Sequence, residues 1–215
     1  MVNMHWNGIL VTSSARQVLV EPDARYRGVA YGQTWPLSQI ERTIASSLEF
    51  DLLDSIEKAM ISHDAPWVLA DLDLACKYVG LCEKRGVGTR VLLCGTTSEW
   101  PIMEPPVVET LLPCSRRLGY DYWDGDSTSP LNDDMNPVPF EPLECFASQL
   151  NEFGLFDTLE GLASYLTARE SALEEYFRRY PFNENIPDAP IWHGGNNYPT
   201  DVREISVEDF MASSL

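Results

Sequence analysis

The sequence predicts an α+β fold in which helices pack on a mixed sheet. Short apolar runs separated by polar residues open the chain, as is typical of strands. An apolar stripe at helical spacing follows Pro66 and leads through a glycine turn into the continuous apolar run Arg90–Cys94. A second amphipathic stripe begins at Asp157. A helix that leads through a short glycine turn into a strand is an αβ unit, so we expect helices to pack on a sheet, and an α/β-like sheet is the alternative.

The first 60 residues predict strands followed by helices. Gly8–Val11 and Gln17–Val20 flank a polar turn, which suits a hairpin, and Tyr26–Tyr31 adds a third strand. A capping-box pattern at Ser38 then starts a helix. A second helix is expected from Asp51.

The region after Pro66 predicts a helix, a turn and a buried central strand. The glycine after the helix, Gly86, is expected to close it. Gly86 and Gly88 follow a helix and precede a strand, which is the reverse of the order in nucleotide-binding loops. The strand Arg90–Cys94 is apolar throughout, as expected where both faces are buried. The helical stripe consists of Val68, Leu72, Ala75, Cys76, Val79 and Cys82.

The second half alternates irregular and regular segments. Prolines predict irregular backbone over 100–116, and Leu118–Trp123 is expected to be a strand. Residues 124–142 have the composition of a long loop. The pattern Asp157-Thr-Leu-Glu160 predicts a capped helix, and a last strand is expected near Val202–Val207.

Length and apolar content predict one domain, residues 1–215. The net charge of −18 is unevenly distributed. Residues 1–98 hold 11 acids and 9 bases, whereas residues 99–188 hold 18 acids and 5 bases. A division into a balanced half, 1–98, and an acidic half, 99–215, is the alternative.

Composition also limits partners and compartment. The strong negative charge argues against direct binding of nucleic acid or anionic membranes and favours basic proteins, cations or simple solubility. Five scattered cysteines without a CxxC motif predict reduced thiols and no zinc site. We expect a cytoplasmic protein because we find neither a signal-peptide pattern nor an apolar run of membrane-spanning length. No cofactor and no metal are expected.

Catalytic motifs give little support for an enzyme. The sequence has no G-x-S-x-G, and its three histidines lack a recognisable context, although His193 precedes two glycines. A calcium loop counted from Asp121 fails, because Trp123 and Asn132 occupy positions three and twelve. A hydrolase or transferase site near His193 and the Asp121–Asp134 loop stays open as an alternative. So does an irregular cation site formed by Asp124, Asp126, Asp133 and Asp134.

The most informative feature is the acidic segment, residues 118–168, which contains ten carboxylates and no Lys, Arg or His. Aromatic residues run through it, and acids mixed with Tyr and Trp are typical of a surface that binds a basic partner. The alternative is a solvated acidic surface, with Trp123 in the core. In a strand, Tyr120 and Tyr122 share one face while Asp121 and Trp123 share the other. The candidate partner-binding residues are Asp121, Trp123, Asp124, Asp126, Asp133, Asp134, Glu141 and Glu144.

Three short motifs carry a resemblance to a known group of proteins. They are Leu118-Gly-Tyr-Asp-Tyr122, Ser129-Pro-Leu-Asn-Asp133 and Leu150-Asn-Glu-Phe-Gly-Leu-Phe156. This series, which covers about residues 118–166, is similar to the C-terminal half of small bacterial immunity proteins. Those proteins pair with polymorphic or contact-dependent toxins. The resemblance implies a non-enzymatic antitoxin that binds a toxin domain.

The leading hypothesis is therefore a cytoplasmic immunity protein that binds a toxic enzyme and occludes its active site. Because toxins acting on nucleic acid are commonly basic at the active cleft, a negative surface would speed association. One alternative is a DNA mimic that inhibits a restriction or CRISPR nuclease. Another is an acidic interaction protein of host regulation.

Overall fold

The computed structural model describes residues 4–13, 68–86, 88–97, 102–123, 144–151, 153, 155–179 and 198–213. Within them, a four-stranded antiparallel sheet carries helices, so the predicted α+β class is confirmed. The sheet was expected to be mixed, but all its described pairings are antiparallel. The predictions for Gln17–Val20, Tyr26–Tyr31 and the helices from Ser38 and Asp51 lie outside the described residues.

The described elements follow the chain in a simple order. The strands are β1 (His5–Ser13), β2 (Thr89–Thr96), β3 (Ser115–Trp123) and β4 (Tyr198–Ile205). The helices are α1 (Leu72–Lys84), α2 (Pro105–Leu111), α3 (Leu159–Arg179) and α4 (Val207–Ala212). Two short 3-10 helices, Leu112–Cys114 and Glu144–Gln149, flank β3 in sequence. None of the described helices combines the length and apolarity needed to span a membrane.

The strand order in space is β1-β2-β4-β3, so the last strand lies inside the sheet. β4 pairs with β2 over Val91–Thr96 and with β3 over Ser115–Trp123. The two faces of the sheet pack against different groups of residues. The helical face carries Ile9, Leu93 and Ile205, which pack with α1 and α4. The opposite face carries Leu92, Cys94 and Val202.

Helix α1 begins later than its apolar stripe predicted. Asp71 is its N-cap and accepts a hydrogen bond from the Leu74 N–H at 3.0 Å. Val68 and Leu69 precede the helix, and Leu69 exchanges backbone hydrogen bonds with Ile9 at the edge of β1. Including Val68 in the helix was therefore wrong, because edge pairing wins over helical spacing there. Gly86 does end the helical region, with φ +68°.

Residues 105–114 are more regular than predicted. Pro105 and Pro106 occupy the first turn of α2, where a missing N–H breaks no helical hydrogen bond. Reading these prolines only as breakers missed the helix. The structure confirms the predicted strand Leu118–Trp123 as part of β3 and the central strand Arg90–Cys94 as part of β2. The expected strand near Val202–Val207 ends at Ile205, and Ser206 caps α4.

Helix α3 forms where the second stripe predicted it, but Thr158 caps it. The Gly161 N–H donates to Thr158 Oγ1 at 3.1 Å. Asp157 instead accepts a hydrogen bond from Asn151 Nδ2 at 2.8 Å. The described thiols are all free: Cys76, Cys82 and Cys94 are buried and Cys114 is exposed.

Candidate functional site

The described structure covers the two ends of the predicted loop, residues 124–142, which carries most of the predicted site. Strand β3 leads into the loop at Trp123, and the 3-10 helix Glu144–Gln149 follows it. The backbone of Trp123 and Glu144 therefore belongs to regular elements, whereas their side chains lie outside what is described. The remaining loop candidates, Asp124, Asp126, Asp133, Asp134 and Glu141, lie outside the described residues.

Asp121 is inside the protein and not at its surface. It is 5% exposed, and its Oδ1 accepts the Tyr122 N–H at 2.8 Å. It lies opposite Thr200 on β4, whereas Tyr120 and Tyr122 pack with residues of α3, so these three residues alternate as predicted. The side chain of Trp123, which was predicted to share the face of Asp121, lies outside what is described. The burial of Asp121 differs from the exposed position expected of a docking carboxylate. Its pairing partner Thr200 is far away in sequence, so the local pattern gave no signal of this position.

An aromatic root cluster joins both ends of the loop. We define it as Tyr122, Phe146, Phe156 and Tyr165. The ring centroid of Tyr165 lies 5.9 Å from Tyr122, 5.5 Å from Phe146 and 5.5 Å from Phe156. Phe146 meets it edge to face, at an interplanar angle of 80°. Because Tyr122 precedes the loop and Phe146 follows it, one buried residue of α3 contacts both ends.

The cluster also lies against a buried cation and contains a phenol with a raised pKa. The Arg169 guanidinium is buried and lies 5.2 Å from the centre of the Tyr122 ring. Burial raises the pKa of Tyr165 well above its usual range, although the Arg169 charge and a hydrogen bond with Tyr122 oppose the shift. Tyr165 is therefore a neutral phenol in the working pH range. The cluster therefore holds the two ends of the predicted loop and lies against one buried positive charge.

Asn151 fixes the chain that returns along β3. Its side-chain amide donates to the Leu118 carbonyl and to Asp157, each at 2.8 Å. Its Oδ1 accepts from the Phe153 N–H at 2.9 Å and the Leu155 N–H at 3.2 Å. Phe156 then exchanges backbone hydrogen bonds with Tyr120 at 2.7 and 2.9 Å. Sequence reasoning missed this role of Asn151, and the only available signal was an Asn between two apolar runs.

The two arginines that precede the acidic segment are engaged by β4. Arg116 Nη2 lies 2.7 Å from Glu204, and Arg117 binds Asp201 through two nitrogens. The hydrogen bond with Asp201 raises the pKa of Arg117 further. Arg90 adds a second contact to Glu204 at 2.8 Å. These cations are therefore directed toward the sheet.

Among the described residues, the buried thiol of Cys94 is a poor nucleophile, and no metal-binding group is found. Burial, with smaller contributions from the Asp121 and Asp201 charges, raises the pKa of Cys94 to about 12, so its thiol stays protonated. Within the described part of the chain, no group of three His, Cys, Asp or Glu residues is arranged to hold a metal ion. His193, the histidine of the enzyme alternative, lies outside that part.

Comparisons with known proteins found no match among protein-family models, curated proteins or solved structures.

Proposed function

We propose that this chain is a non-enzymatic acidic binding protein that neutralises a cognate toxin enzyme by occluding its active site. The observation that carries the proposal is the way in which the rest of the protein holds the acidic segment. Both ends of its loop contact Tyr165, while the preceding Arg116 and Arg117 are bound by β4. The setting we propose is cytoplasmic, as for an immunity protein.

Fixed ends favour binding for an entropic reason. Ordering a long loop at the moment of binding lowers affinity, whereas a loop with anchored ends has fewer conformations to lose. The root cluster is built on a strand and a helix, which are stiffer supports than another loop. The predicted loop, with both ends held in this way, suits insertion into a concave cleft.

Charge favours the same kind of partner. Because β4 engages Arg116 and Arg117, these two cations are committed to Glu204 and Asp201. A negative surface accelerates encounter with a basic cleft and competes there with an anionic substrate. In this proposal Asp124, Asp126, Asp133 and Asp134 pair with Arg or Lys of the toxin, and Trp123 fills a pocket. Glu141 and Glu144 add negative charge at the far end of the loop, and the buried Asp121 adds negative charge from within the sheet.

The test first asks whether a gene adjacent to this one encodes a toxin domain, and then uses that domain as the partner. The quadruple variant with Asn at 124, 126, 133 and 134 should fold normally but associate with the toxin about tenfold more slowly, with a weaker salt dependence. Stopped-flow association at several salt concentrations measures both. A matched control removes the same charge from exposed sites elsewhere, through Gln at Glu109, Glu170, Glu174 and Glu208.

Two outcomes would contradict the proposal. Equal slowing by the control variant would assign the effect to net charge alone. If the quadruple variant protected cells against the toxin as well as the native protein does, the loop would not be part of the interface. Inhibition of a restriction or CRISPR nuclease in the absence of any toxin partner would favour the DNA mimic instead.

A further inference from the structure

A shallow apolar groove lies between α1 and α4, in elements that do not belong to the acidic segment. Its volume is about 460 Å³, and it is largely open to solvent. Lys77, Gly80, Leu81 and Lys84 are spaced i, i+3, i+4 and i+7, so they form one stripe of α1. Met211 of α4 and Cys76 complete the lining.

The two lysines of the groove are exposed. Neither Lys77 nor Lys84 makes an ion pair within the described ranges, although the chain has 33 acids for 15 Lys and Arg. Lys84 lies in the last turn of α1, where the helix dipole favours a cation. That effect does not account for Lys77 in the middle of the helix. Seven residues separate the two charges by roughly 10 Å along the axis.

Gly80 has no side chain to fill the groove, and its backbone conformation does not require glycine. Glycine destabilises a helix interior relative to alanine. A Cβ added at Gly80 would meet only Met211 Cε, at 3.7 Å, which is ordinary van der Waals contact. Gly80 is not among the described glycines with positive φ, which are Gly86 and Gly119. The missing side chain therefore leaves space beside α1 that the described residues do not fill.

We propose that this groove binds an amphipathic helix of a protein partner, in which carboxylates two turns apart flank apolar residues. The i and i+7 carboxylates of such a helix are separated by the same distance as Lys77 and Lys84. Its apolar residues would contact Leu81 and Met211, and methionine adapts readily to a helix docked in a groove. A second copy of this chain is disfavoured because two chains of charge −18 repel each other.

The probe is an acetylated, amidated alanine-based peptide of about 20 residues, long enough to be helical. It carries Leu at i+3 and i+4 between Glu at i and i+7, and its binding is followed by fluorescence anisotropy at about 0.15 M salt. Lys77→Glu with Lys84→Glu should weaken binding about tenfold or more, since two ion pairs become repulsions. Arg178→Glu with Arg179→Glu makes the same charge change on α3 and should leave affinity within about twofold.

Gly80→Leu separates binding from folding. The leucine should fill the groove and weaken peptide binding about tenfold, while the thermal midpoint stays unchanged or rises. Three results would overturn the proposal: no binding of the peptide, equal binding of a peptide with Lys in place of Glu, or equal weakening by the Arg178 and Arg179 control. A dimer in sedimentation that the lysine variant dissociates would assign the groove to a second copy instead. Tighter binding of dodecanoate than of the peptide would assign it to a small amphiphile.

Discussion

Arg117 of β3 binds Asp201 of β4 with two hydrogen bonds, 3.1 Å from Nε and 2.7 Å from Nη2. Asp201 is only 4% exposed, and Arg203 lies 3.5 Å from its Oδ1. The fork geometry of arginine matches a carboxylate in a way that lysine does not. This pair joins the strand that leads into the acidic segment to the centre of the sheet.

Arg117→Met should lower the free energy of unfolding by about 2 kcal/mol, because it leaves a buried carboxylate with weaker compensation. The free energy of unfolding of Arg117→Lys should lie between those of Arg117→Met and the native protein. Urea unfolding measures these differences, and a double-mutant cycle with Asp201→Asn isolates the pair. Arg116→Met is the control, since Arg116 is 65% exposed and should contribute less. Equal losses from Arg116→Met and Arg117→Met would contradict this ranking.

Glu204 should make stability depend on pH. Its partial burial opposes ionisation, but hydrogen bonds from Arg90 and Arg116 outweigh this and lower its pKa below the ordinary 4.5. A lowered folded-state pKa stabilises the fold above the ordinary pKa, and this contribution is lost as the pH falls through the lowered value. Glu204→Gln should therefore cost about 1 kcal/mol at neutral pH. In denaturation experiments the difference should close in acid, and a constant difference would argue against the ion pairs as its cause.

The same substitution at two glycines should have opposite effects. At Gly119, φ is +151° and an added Cβ would lie 2.7 Å from Leu155 Cβ, so Gly119→Ala should destabilise by about 2 kcal/mol or more. At Gly80 the space is free, and Gly80→Ala should stabilise α1 by up to about 1 kcal/mol. Thermal unfolding of both variants checks the signs. A neutral Gly119→Ala would mean that β3 tolerates movement of the returning chain.

Thiol labelling should distinguish the cysteines. Burial raises the pKa of both Cys82 and Cys94 to about 12, so they should resist iodoacetamide in the folded protein. Cys114 is exposed and should react first. Peptide mapping by mass spectrometry, in a Cys145→Ser background, measures the order of modification. Labelling of Cys94 at the rate of Cys114 would show that the sheet opens readily at β2.

Local sequence predicted the elements whose burial follows a simple pattern. The run within β2 is apolar because both sheet faces are covered, and α3 has a regular stripe on its buried side. The helix α2 was missed because Pro105 and Pro106 were interpreted only as breakers. The cap of α3 was assigned to Asp157 because Asp and Thr are both good caps, and the choice of Thr158 depends on Asn151.

The candidate site was predictable as a composition but not as a geometry. Acids and aromatics in residues 118–168 are visible in the sequence. The burial of Asp121 and the binding of Arg117 by Asp201 depend on β4, which is about 80 residues away along the chain. Such register cannot be derived from local periodicity, because it is set by which strand occupies the centre of the sheet.

The position of β4 has a consequence for protein synthesis. Strands β2 and β3 emerge from the ribosome long before β4, which must then enter between them. Until residue 205 has been made, the facing edges of both strands lack their native neighbour, and such edges are prone to aggregation. A premature stop before Tyr198 should therefore yield an insoluble product and not a shortened working protein. Fusions that delay release of the C-terminal residues should lower yield for the same reason.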